Sequence, residues 1–187
     1  GRAIGELPYA VVDVETTGLR ARGDDRITEV AIVHVDGGTH RVAFDSLVDP
    51  GRPIPPFITR LTGIDDRLVA GAPRFAEVAD RVLAALTGRV FVAHNARFDL
   101  SFLRAELERA AAVVFRPPLL CTVRLSRVLV PELARRNLDS VIHWFGITTD
   151  RRHRAAGDAL ATAEVLRRLL DRAAERGIAT WQELSAL

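Results

Sequence analysis

The chain has no lysine, no methionine and a single cysteine in 187 residues. One cysteine excludes an internal disulfide, so the fold must rest on its core, and this fits a reducing compartment. Cys121 itself reads as a small buried hydrophobe near a strand end. No apolar run approaches the roughly 20 residues of a membrane span, and no signal peptide opens the sequence. A cytoplasmic protein without a membrane partner is therefore expected. The formal charge of +2 excludes a strong overall positive field. All 26 strongly basic residues are arginine. Guanidinium forks suit phosphate, but arginine and alanine in such abundance also fit a bias toward GC-rich codons, which is the reading favoured for most of them. The absent methionine and the leading glycine suggest a domain trimmed from a longer protein. One domain is expected over 1–187, with a core over about 8–176 and a short C-terminal tail.

No repeat or low-complexity tract appears. Val-rich 9–15 and apolar 27–35 read as strands, and Asp36-Gly37-Gly38 as a hairpin turn into a third strand over 40–48. Four prolines between Pro50 and Pro56 exclude regular structure there. A short helical piece over 57–61 ends at Gly63. Apolar spacing at Val78, Val82, Leu83 and Leu86 predicts a helix over 75–86. A strand over 89–93, a helix over 97–112, a strand over 119–122, short helices over 123–129 and 138–145, and a long helix over 157–176 follow. Three meandering strands and then alternating helix and strand predict an α/β domain, a mixed sheet flanked by helices.

Four acids stand where a fold least tolerates them. Asp13 and Glu15 lie in the first strand; being two apart, they share a face, while Val12 and Val14 point the other way into the core. Asp99 closes His94-Asn95-Ala96-Arg97-Phe98-Asp99 and begins the stripe of Phe102, Leu103 and Leu107. Asp158 closes His153-Arg154-Ala155-Ala156-Gly157-Asp158 and begins the stripe of Ala161, Thr162, Val165 and Leu166. Either aspartate alone would pass as a helix cap, worth about 0.5–2 kcal/mol. As an ordered set, the four converge best on divalent cations, because buried carboxylates are costly unless compensated. An all-carboxylate site selects Mg²⁺ or Mn²⁺ over zinc. Two such ions about 3.5–4 Å apart suit in-line attack on phosphate. His153, in a loop before the last helix, can take a proton from the attacking water. His34, His40 and His143 read as ordinary surface residues, and His94 is ambiguous.

The Val12–Leu19 stretch, His94–Asp99 and His153–Asp158 resemble the three exonuclease motifs of the DnaQ-like, DEDDh 3′–5′ exonucleases. Leu61-Thr62-Gly63-Ile64 and Asn137-Leu138-Asp139 resemble further segments of that family, so the likeness spans about 8–172. It implies a ribonuclease H-like fold with a five-stranded mixed sheet. It also implies that Asp13 bridges two metal ions, that Glu15 and Asp158 support the water-activating one and Asp99 the second, and that His153 is the general base. Thr16, Thr17 and Leu19 would hold the terminal nucleotide, with His94, Asn95 and Phe98 on the opposite wall. Leu19 and Phe98 fit plain core packing equally well.

The expected partners are 3′ ends of single-stranded DNA, or alternatively RNA in a trimming enzyme, together with a DNA polymerase or a fused domain. Proofreading and repair both use this constellation. A noncatalytic binding module would be expected had one acid become neutral, and none has. Gln182–Leu187 faintly resembles a sliding-clamp peptide, but its leucine spacing favours an amphipathic tail.

Overall fold

A computed structural model describes residues 2–187. Its elements are β1 (Tyr9–Thr16), β2 (Ile27–Asp36), β3 (Thr39–Leu47), α1 (Pro56–Thr62), α2 (Asp66–Val69), α3 (Phe75–Leu86), β4 (Val90–Ala93), α4 (Ala96–Ala111), β5 (Leu119–Cys121), α5 (Thr122–Leu129), α6 (Leu138–Phe145), α7 (Ala155–Glu175) and α8 (Trp181–Ser185). The strands form one sheet in the order β3-β2-β1-β4-β5. The first three are antiparallel, while β1, β4 and β5 run parallel.

β2 is buried along nearly its whole length, with the apolar run 30–33 at its centre and the polar Thr28, Glu29 and His34 buried beside it. β3 forms one edge and is mostly exposed. Tyr9 and Val11 of β1 face a layer containing α5, α6 and α7; Ala10, Val12 and Val14 face α3 and α4. These two apolar layers hold the sheet between them. Between Glu15 and Thr16 the β1–β2 register slips, because Thr16 pairs with Ile27 and leaves Thr28 over. The extra residue ends regular pairing where the chain leaves the sheet, as bulges beside functional sites often do.

Most expected elements form within one or two residues of their predicted bounds. Thr122 starts α5 rather than ending the strand, and α7 begins at Ala155. α2 and α8 were not expected from periodicity. α8 carries buried Leu184 into the α7-side core, so the C-terminal segment packs rather than trails. His34 is also not on the surface: it is 8% exposed, and its Nε2 bonds the Ala85 carbonyl oxygen at 2.7 Å. No helix among the described residues is long and apolar enough to cross a membrane.

Candidate active site

The carboxyl end of β1 turns Asp13 and Glu15 to the side where α7 arrives. Asp158 stands in the first turn of α7, and oxygen atoms of Asp13, Glu15 and Asp158 lie within 4.8 Å of one another. Asp99 lies in the first turn of α4, on the other layer. It is buried, and its Oδ1 accepts the Val14 N–H at 3.1 Å. That bond fastens α4 to β1 between the two strand acids. Asp99 falls outside the tight triad, but its charge acts strongly on Asp13.

Three features fix the start of α7. Gly157 lets the backbone of Asp150 and Arg151 cross the helix so closely that a Cβ would overlap both carbonyl oxygens. The loop that this crossing shapes gives His153 a left-handed φ of 66° and aims its N–H at Asp158 Oδ1, 3.2 Å away. Arg152 joins Asp158 to Asp139 of α6, with 2.7 Å between its Nε and Asp139 Oδ1. Finally, Glu29 of β2, paired with Glu15 across the ladder, is 3% exposed. It accepts the Ala155 N–H at 2.6 Å and Arg154 Nη2 at 2.6 Å. Glu29 thus caps α7 from the sheet.

Glu29 and Arg152 escaped the sequence reading. Glu29 did carry a usable signal, an acid inside an apolar strand, the same one that marks Asp13. Arg152 carries none, since Asp139 of α6 is brought to it by tertiary packing and its bond to Asp158 depends on how the loop before α7 folds.

The pocket is strained electrostatically. Burial, followed by the charges of Asp99, Glu15, Asp158 and Glu29, raises the Asp13 carboxyl well above its ordinary range. Burial and the neighbouring Asp158, Glu29 and Asp99 push Glu15 up to about 8. Asp99 also rises to about 8, burial outweighing its bond from Val14 N–H. Arg152 and the His153 N–H compensate Asp158, but Asp13 Oδ2 is buried without any hydrogen-bond partner. Protein interiors rarely leave an anionic acceptor so exposed to its own kind. Converging hard oxygen donors with one orphaned acceptor fit a divalent cation such as Mg²⁺ or Mn²⁺.

The exonuclease family RNase_T matches residues 10–166, a span holding all of these acids. The chain belongs to this exonuclease family. It is a DnaQ-like 3′–5′ exonuclease domain, a hydrolase on a ribonuclease H-like fold. It is 44% identical over 183 residues to a DNA polymerase III subunit epsilon-like protein of Rhodobacter capsulatus, matching 95% of this chain and 26% of that protein. It is 34% identical to the 3′–5′ exonuclease DinG of Bacillus subtilis, over 96% of this chain and 19% of that one. The chain therefore spans about a quarter or less of these relatives. Among solved structures, Exonuclease X in complex with 5′ overhanging duplex DNA superposes with a TM-score of 0.71 at 26% identity, covering 95% of this chain and 98% of that one.

Around the acids, the exonuclease domain presents the remaining residues singled out in the sequence. Thr16 Oγ1 donates to the Gly18 carbonyl oxygen at 2.6 Å, and Thr17 Oγ1 to Asp25 Oδ1 at 2.9 Å. These bonds shape the turn after β1. Leu19 at its tip is 83% exposed, so it is no core residue. Phe98 is half-buried, its ring 5.0 Å from that of Phe102. Asn95 is exposed with a left-handed φ of 72°. His94 bonds Thr122 Oγ1 and the Arg136 carbonyl oxygen, at 2.8 and 2.7 Å, and burial lowers its pKa. A neutral ring donating from Nε2 satisfies both contacts, leaving only the face of His94 for a ligand. The buried Glu106 of α4 holds the 20–26 loop from below, accepting Arg26 Nε at 2.5 Å and Arg109 Nη1 at 2.8 Å. Arg109 in turn donates to the Ala21 and Gly23 carbonyl oxygens.

Proposed function

We propose that this domain removes nucleoside 5′-monophosphates from the 3′ end of single-stranded nucleic acid, with DNA favoured, in proofreading or repair. The observation that carries the reading is the convergence of Asp13, Glu15 and Asp158 within 4.8 Å around a buried, partnerless Asp13 oxygen. Two divalent ions, Mg²⁺ or Mn²⁺, would polarise the scissile phosphate and the attacking water. Asp13, Glu15, Asp158 and Asp99 are the residues that would hold these ions.

The chain's own groups do the rest. His153 is exposed and its imidazole makes no hydrogen bond among the described residues, so a ring nitrogen can accept the proton of the incoming water. Its backbone N–H on Asp158 ties that base to the acid pocket. Thr16 and exposed Leu19 would form one side of a slot for the terminal nucleotide, with Thr17 fully buried behind them, and His94, Asn95 and Phe98 would form the other. Leu19 and Phe98 offer apolar contact to any base, which suits removal without sequence preference. Resemblance to a polymerase III epsilon-like protein and to a DNA-bound exonuclease favours DNA, with a polymerase or a fused domain as partner in the cytoplasm.

The test is Asp13→Asn assayed with Mn²⁺ on a labelled oligonucleotide. Turnover is expected to fall by roughly two to three orders of magnitude, the scale on which losing one transition-state contact acts. Unchanged turnover would remove Asp13 from the chemistry. Comparing mispaired DNA ends with single-stranded RNA then separates proofreading from RNA trimming.

A further inference from the structure

Along the edge strand β5, next to the residues that follow β4, a groove of about 360 Å³ opens. Asn95, Arg97, Arg124 and Arg127 stand around it, over Leu120 and Leu184. Asn95, at one end of the groove, follows the carboxyl end of β4, the end of parallel strands where ligands bind in open α/β sheets. The groove is continuous with the candidate nucleotide slot: Asn95 belongs to both, and two residues beyond Arg97 the same helix carries Asp99.

The groove brings three arginines together with no acidic side chain among its lining residues. Arg26, Arg52, Arg74, Arg89, Arg109, Arg152, Arg154, Arg167 and Arg172 each meet a carboxylate. Arg97, Arg124 and Arg127 are exposed and line a groove that includes no acidic side chain. Arg124 and Arg127 stand three apart on α5 and so share a face. Arg97 reaches the same groove from α4. Three cations facing one another gain nothing from the fold, whereas a polyanion laid between them satisfies all three.

We propose that this groove holds the sugar–phosphate backbone of the substrate strand on the 5′ side of the nucleotide being removed. The inference rests on the exonuclease reading above and deepens it. The arginines grip successive phosphates, and Leu120 and Leu184 lie under the sugars. The domain thereby grips a strand and not merely its last nucleotide.

The experiment compares wild type with the triple variant Arg97→Gln, Arg124→Gln, Arg127→Gln. All three positions are exposed and unpaired, so the fold should persist. Binding of a fluorescent 20-nucleotide oligothymidylate is measured in Ca²⁺ against KCl concentration. Three lost phosphate contacts should flatten the log–log salt slope by about 2 and weaken binding roughly 100-fold at 0.1 M salt. With Mn²⁺, the ratio of KM for the oligomer to KM for the p-nitrophenyl ester of thymidine 5′-monophosphate, which has one phosphate, should rise by a similar factor. A control with Arg67, Arg81 and Arg168 changed to Gln should keep the wild-type slope.

An unchanged slope and ratio overturn the proposal. So does a control that flattens the slope as much, or an equal KM loss on both substrates. Should wild type cleave neither substrate, the exonuclease reading fails, while the binding slope still decides the groove.

Discussion

Replacing Gly157 by alanine sets two physical effects against each other. Helix propensity alone makes alanine better than glycine by up to about 1 kcal/mol. Gly157, however, is the third residue of α7, and a Cβ there would stand 2.5 Å from the Asp150 carbonyl oxygen and overlap that of Arg151. Ordinary contact begins near 3.4 Å. The obstacle is backbone, which cannot swing aside as a side-chain tip would, so the 150–154 loop must retreat by about 1 Å. Overpacking of this kind costs about 1–3 kcal/mol, which cancels or exceeds the helical gain. Melting should fall by roughly 2–4 °C per net kcal/mol for a domain of this size. Activity should suffer more. The displaced loop carries His153 and Arg152, both tied to Asp158, and a misplacement near 1 Å costs about 100-fold in rate. Thermal unfolding in EDTA and turnover with Mn²⁺ on one oligonucleotide measure both effects. A raised melting temperature with undiminished turnover would refute the reasoning.

Glu29→Ala removes the buried acceptor of Arg154 and of the first α7 N–H. Charge-assisted bonds of this kind, discounted because Arg154 is partly exposed and re-solvates, give an expected loss of about 2–3 kcal/mol in urea unfolding. A loss below about 1 kcal/mol would show that α7 does not depend on the cap. The acid pocket also predicts a pH dependence. Glu15 and Asp99 have folded values near 8, against ordinary values of 4.5 and 3.8, so the folded state holds protons more tightly than the unfolded one. That stability is fully present below the unfolded values and is lost as pH climbs toward 8 and beyond. The metal-free domain should therefore lose a few kcal/mol between pH 5 and 9, and millimolar Mn²⁺ should flatten the curve. A flat urea midpoint in EDTA across that window would contradict the description of the pocket.

Long, periodic or strongly punctuated segments were legible in the sequence. The apolar spacing of α3 gives its bounds directly, since one face of that helix is core throughout. Gly63, at a φ of 75°, ends α1 as a glycine ends a helix. α2 has four residues, too few for any period, and forms because the Asp65 side chain accepts the Leu68 N–H at 2.7 Å. α8 did announce itself through a capping box of Thr180 and Glu183, a cue of two residues in a segment read as a tail. The acids of the candidate site were visible because charge inside an apolar pattern is costly in any fold. What compensates them was not, because Glu29 meets Arg154 across 125 residues. The burial of His34 likewise depends on the Ala85 carbonyl, which only the packing of α3 supplies.

β1 sends odd-numbered residues to one layer and even-numbered residues to the other, so the nuclease pocket is encoded partly as an integer. A residue gained or lost between Tyr9 and Asp13 would exchange the two sets, facing valines into the acid pocket and driving carboxylates into hydrocarbon. A change of the same size in the Asp36–Thr39 turn leaves the parity of β1 as it is. Counting, in that strand, matters more than composition.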